Sequence, residues 1–79
     1  MKKQDRIESA NRSMLMAFAV KKVEHKLKDL DLMAYAGLPE PSWYRKKKDP
    51  GTFRLSEIRA LDSKVHFSDE ELIAMIRGR

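Results

Sequence analysis

Pro41, Tyr44, Arg45 and Lys48 stand at the intervals i, i+3, i+4 and i+7, which put four side chains on one side of a helix. Arginine brings a planar fork of donors, lysine a point charge, and tyrosine a flat ring with a hydroxyl. Such a face suits holding a polyanion rather than making or breaking bonds. The run Arg45-Lys46-Lys47-Lys48 adds charge, but successive helical residues point about 100° apart, so its four cations cannot share one side. Taken alone, the run describes a solvated surface. Lys46 falls on the Trp43 side, where its stem is expected to lie along apolar surface.

Little else in the chain offers chemistry. His25 and His66 lie far apart with no carboxylate or cysteine at ligand spacing, and the absence of cysteine excludes disulfides and thiolate metal sites. Asp69-Glu70-Glu71 could pass for an acid pair, but helix capping and the helix dipole account for it. There is no nucleophile beside a base and no glycine loop to cradle a phosphate. The chain therefore reads as a non-enzyme, with no metal, no cofactor and no small-molecule substrate. Its longest apolar stretch, Met14 to Val20, is seven residues, against about 20 for a bilayer span. A soluble cytoplasmic chain with no membrane partner is expected.

At 79 residues, 37% of them charged, the sequence can build one small core under a charged surface and no large cavity. A single domain over 1–79 is expected. The net charge of +5 is unevenly spread. Residues 1–28 come to +5, residues 29–41 to −3, residues 42–59 to +4 and residues 60–79 to −1. Two basic segments flanking an acidic one suggest a polarised surface facing a polyanion.

Helical periodicity runs through the chain and nothing reads as a strand. In a first helix, Met16, Val20, Val23 and Leu27 recur at helical spacing, widened by Leu15 and Phe18, with Lys21, Lys22 and Lys26 off the stripe. Met14, Met16, Phe18 and Val20 are thus expected in the core. The helix is expected to start near Ser9 or Asn11, capped by Asn11 or Ser13, with residues 1–11 either frayed or an extension of it. A second helix spans Asp29 to Ala36 and stops at Gly37. Pro39 and Pro41 suit the first turn of a third, from Glu40 to Lys48, ended by Asp49-Pro50-Gly51. A fourth, Leu55 to Val65, presents Leu55, Ile58, Leu61 and Val65. The fifth begins at a Ser68/Glu71 capping box with Phe67 and Leu72 as its staple, uses Leu72, Ile73 and Ile76 as its apolar face, and ends at Gly78. The expected fold is all-α, a compact bundle of about five helices, with helix two, Gly37 and helix three forming a helix–turn–helix pinned by Leu38 and Trp43.

From Leu32 to Ile76 the chain resembles the lambda repressor and Cro (Xre-type) class of helix-turn-helix domains. Within it the chain is similar to short regulators of Gram-positive phages and integrative elements, where a "GL…FYRR…PGTF.L.EL" pattern recurs. The matching residues are Gly37-Leu38, Trp43-Tyr44-Arg45, Asp49-Pro50-Gly51-Thr52-Phe53, Leu55, Glu57-Ile58, Leu61 and Ser68-Asp69-Glu70-Glu71-Leu72. Met33 departs from the usual alanine, Pro39 from the usual Ser/Thr cap, and Lys46 from a commonly apolar position. The resemblance implies a five-helix fold, double-stranded DNA as ligand, and a transcriptional regulator on the bacterial nucleoid.

It also implies that Glu40 and Pro41 read base edges first. Arg45 would then face guanine O6 and N7, and Tyr44 a thymine methyl or a phosphate, while Glu40 could accept from a cytosine amine. Lys47, Lys48, Arg54 and Lys28 are assigned to phosphate, where contacts position the domain without reading sequence. One small domain binds weakly alone, so a homodimer or cooperative sites are expected. Two other readings stay open: a protein-interaction module, such as an anti-repressor or adaptor, and an architectural recombination factor.

Overall fold

Helix ends in this chain are set by local capping chemistry. The computed structural model describes the backbone from Lys3 to Gly78 and the side chains from Asp5 to Gly78. It contains α1 (Lys3–His25), α2 (Asp29–Ala36), α3 (Glu40–Lys48), a 3-10 turn (Pro50–Thr52), α4 (Leu55–Val65) and α5 (Asp69–Arg77), with no strand among the described residues. Three helices open with a carboxylate accepting the N–H of the residue before the helix: Asp31 from Lys28 at 2.9 Å, Glu57 from Arg54 at 2.7 Å, and Glu71 from Ser68 at 2.8 Å. At α5 the Ser68 hydroxyl also accepts from the Glu71 N–H at 3.1 Å, completing the capping box expected there.

The helix–turn–helix is present with the expected bounds. Gly37 takes the left-handed conformation at φ 71°. The Leu38 N–H donates to the Met33 carbonyl at 3.0 Å and the Gly37 N–H to the Ala34 carbonyl at 3.2 Å, which closes a Schellman motif. No atom outside its immediate chain neighbours lies within 4 Å of a Cβ built at Gly37. The requirement for glycine is therefore purely local backbone strain, about 1–2 kcal/mol for another residue.

Helix α1 departs from its expectation in two ways. It already runs from Lys3, so Asn11 and Ser13 lie inside it rather than capping it, and residues 3–11 extend the helix, residues 1 and 2 lying outside the described ones. At about 1.5 Å per residue its 23 residues match the molecule's longest dimension of 35 Å. Its buried face is also turned from the expected one: Met14 and Phe18 are buried as expected, but Met16 and Val20 are not. Met14, Ala17, Phe18 and Lys21 face the core, whereas Met16 is 67% exposed, Val23 79% exposed, and Val20 also open to solvent. The centres of the two stripes are about 140° apart around the helix. A lysine in the middle of the inner stripe conceals it from a periodicity argument, and the outer stripe looks more regular. Smaller corrections apply elsewhere: Leu55, Ile73 and Ile76 are exposed, and Met75 is the buried anchor of α5.

The core centres on Phe18. Its ring stacks on Trp43 (centroids 5.7 Å apart, 28°), meets Phe53 edge-on (5.4 Å, 81°) and lies 6.1 Å from Phe67. Trp43 in turn meets Phe53 edge-on at 5.5 Å. Leu32, Met33, Ala36, Ile58, Leu61 and Val65 complete the packing from α2 and α4. Helix α5 lies along α1, and a Cβ on Gly78 would run into the Arg6 carbonyl, so the end of α5 is fitted against the start of α1. Removing Trp43 leaves a cavity beside Phe18 and Phe53. Trp43→Ala is expected to lower stability by about 3–5 kcal/mol, while Met16→Ser and Val23→Ser change it by less than about 0.5 kcal/mol. Urea midpoints of the three variants check this.

Candidate nucleic-acid interface

Helix α3 has only one fully buried residue, Trp43, at 0% exposure. With that side chain pointing inward, the face made of Pro41, Tyr44, Arg45 and Lys48 points outward, and all four are exposed, as is Glu40 at the helix start. Arg45 Nη2 donates to the Ser42 hydroxyl at 3.3 Å, a contact within the helix that leaves the rest of its donor fork open. Tyr44 is 44% exposed. Lys28 and Arg54 are exposed at the residues preceding α2 and α4. The indole Nε1 of Trp43 is buried with no hydrogen-bond partner. Leaving such a donor unpaired costs about 1–3 kcal/mol, so the shape of the indole outweighs its polarity here.

The four-cation run divides as helix geometry requires. Arg45 and Lys48 form no ion pair among the described residues, and the other two cations turn back to the protein. Lys46 Nζ lies 2.9 Å from Glu57 Oε1 and 3.1 Å from the Thr52 carbonyl, tying α3 to the turn and to the start of α4. The stem does run inward, but an ion pair rather than apolar contact holds its end. Lys47 Nζ lies 3.1 Å from Asp29 Oδ1, which also accepts from Lys22 Nζ at 3.3 Å. All four cations also sit in the last turn of α3, where they favour the negative end of the helix dipole. Charge alone therefore does not identify the face. Its outward direction does.

A third pair joins α1 to α5. Lys21, only 7% exposed, reaches Glu71 at 3.1 Å and Glu24 at 3.2 Å. Helical spacing alone does not mark Lys21, Lys22, Asp29 and Glu57 as structural partners. Glu57 and Asp29 carried a signal, since each stands in the first turn of a helix.

Each of these carboxylates is pulled two ways. Burial raises the pKa of Asp29, but hydrogen bonds and charge from Lys47 and Lys22 outweigh it, and the carboxyl stays below its ordinary range. Burial likewise opposes ionisation of Glu57, outweighed by Lys46 and the Arg54 N–H, and of Glu71, outweighed by the Ser68 N–H and Lys21. For Lys21 burial disfavours the charge, and Glu71 and Glu24 more than restore it, leaving its pKa raised.

No family model, curated protein or solved structure matches the chain. The arrangement of its own residues carries the functional argument.

The pH dependence of folding follows from these directions. Carboxylates with lowered folded pKa values contribute stability that is present above their unfolded values and lost as pH falls through the folded ones. Lys21 contributes below its unfolded value of 10.5 and loses that as pH rises through its folded pKa. Thermal midpoints are expected to fall as pH drops below the ordinary glutamate value of 4.5. Glu57→Gln should flatten part of that decline. An acid limb unchanged in Glu57→Gln would show that the Lys46 pair does not contribute.

Proposed function

We propose that the chain is a sequence-specific double-stranded DNA-binding regulator, of phage or mobile-element type, that inserts α3 into the major groove. One observation carries this reading. A short helix is locked from beneath by a fully buried tryptophan and presents Glu40, Pro41, Tyr44, Arg45 and Lys48 to solvent on its other side. The turn at Gly37 holds it at a fixed angle to α2, the geometry by which a helix–turn–helix lets its second helix enter a groove. Arg45 is the base reader, through the paired acceptors of guanine. Lys48, with Arg54 and Lys28, sets the register on the backbone. Regulation follows by occupancy of the bound site, and paired or cooperative sites offset the weak affinity of one small domain.

A second reading is favoured by the apolar outer face of α1. Met16, Val20 and Val23 are open to solvent, as they would be in a module that docks another protein. A chain with no duplex affinity at moderate salt but one stoichiometric protein partner would favour that reading.

The test is a salt titration on random duplex followed by selection of bound sequences from a randomised pool. Binding is expected to weaken steeply with salt, and one sequence to be enriched. Arg45→Ala should cost about 1–3 kcal/mol on the selected site and little on random duplex. If no sequence is enriched and Arg45→Ala changes nothing, the reading fails.

A further inference from the structure

One carboxylate stands between the basic face and the rest of the molecule. Asp29 Oδ1 lies 3.1 Å from Lys47 Nζ and 3.3 Å from Lys22 Nζ, so a single oxygen joins α2 to both α3 and α1. All three side chains are partly buried. The Lys47 ammonium also stands 5.9 Å from the centroid of the Tyr44 ring, within the range of a cation–π contact. Lys47 is therefore held at two points, by the carboxylate and by the aromatic ring on the outward face. Lys48, its neighbour in sequence, has no ion-pair partner among the described residues.

Resting on the DNA-binding reading, we propose that Asp29 withholds Lys47 and Lys22 from phosphate and makes Lys47 a positioning residue for Tyr44. The physical reason is competition. A phosphate that drew Lys47 away would leave the Asp29 carboxylate partly buried with one cation where it now has two, and would bring a second anion close to it. A lysine already neutralised within the protein also releases no counterion from DNA, so it adds nothing to the salt dependence of binding. Asp29 further occupies the first turn of α2, where the helix dipole would otherwise favour a phosphate. Its carboxyl remains ionised at neutral pH because the two ammonium groups outweigh the effect of burial. The consequence is selectivity: the face keeps Arg45 and Lys48 for DNA, holds the Tyr44 ring in one orientation, and does not bind every duplex tightly through bulk charge.

The full chain and the variants Asp29→Asn, Lys47→Ala, Lys48→Ala and Asp29→Asn/Lys47→Ala are titrated with random and selected duplex. Salt runs from roughly 50 to 300 mM, and each phosphate contact contributes about 0.9 to the slope of log K against log salt. Lys48→Ala is expected to lower the slope by about 0.9, whereas Lys47→Ala leaves it unchanged and lowers only the ratio of selected to random affinity. Asp29→Asn is expected to steepen the slope by about 0.9 to 1.8 and to tighten random-duplex binding, and the double variant to steepen it by no more than about 0.9. A merely structural role for Asp29 would not steepen the slope. An unchanged slope in Asp29→Asn overturns the inference, and so does a Lys47→Ala slope as shallow as that of Lys48→Ala. The comparison of the two lysine variants decides the matter even if Asp29→Asn does not fold. Wild-type chain that binds no duplex at any salt overturns the DNA reading itself, an outcome distinct from wild-type binding with these slopes absent.

Discussion

Helix α3 is nine residues long and six of its side chains are charged or proline. A helix that short is marginal by itself in water, so its order must come from outside. It comes from Trp43, stacked on Phe18 and met edge-on by Phe53. Every statement about the outward face depends on that contact, because burying Trp43 fixes the rotation of the helix about its axis. Turned by one residue, about 100°, the helix would bury Tyr44 and lose the face made of Pro41, Tyr44, Arg45 and Lys48. The unpaired indole N–H shows how far packing dominates at this position.

The ion pairs refine what the aromatic cluster sets. Lys46 with Glu57 and Lys47 with Asp29 hold the C-terminal half of α3 to α4 and α2, and Lys21 with Glu71 holds α1 to α5. A partly buried pair adds little net stability against an apolar alternative, but losing one partner strands a charge. Its contribution is therefore to geometry. The same pairs thin out the cationic run, so the outward face carries fewer free charges than the sequence suggests. What remains exposed alternates arginine, tyrosine and lysine rather than forming a uniform patch.

The parts of the fold legible in the sequence are those fixed within a few residues. Gly37, Pro39 with Pro41, Pro50-Gly51 and the Ser68/Glu71 box each act locally, and α2 to α4 have the bounds expected from them. The outward face of α3 was legible for the same reason, since helical spacing and one tryptophan determine it. The orientation of α1 was not. It carries two apolar stripes on different sides, and the one facing the core contains Lys21, whose compensating acid Glu71 lies on the last helix. The partners of Lys46 and Lys47 were hidden likewise, because they sit 11 and 18 residues away in the chain. Only the folded arrangement shows which of four adjacent cations remain available.

In the proposed reading the molecule meets its ligand with the outward side of α3 and the turn before it. Backbone amide shifts followed by NMR as the selected duplex is added test this most directly, because every element reports at once. The largest changes are expected from Gly37 through Lys48, with smaller ones near Lys28 and Arg54 and none along Met16, Val20 and Val23. Changes centred on the outer face of α1, with α3 undisturbed, would contradict it.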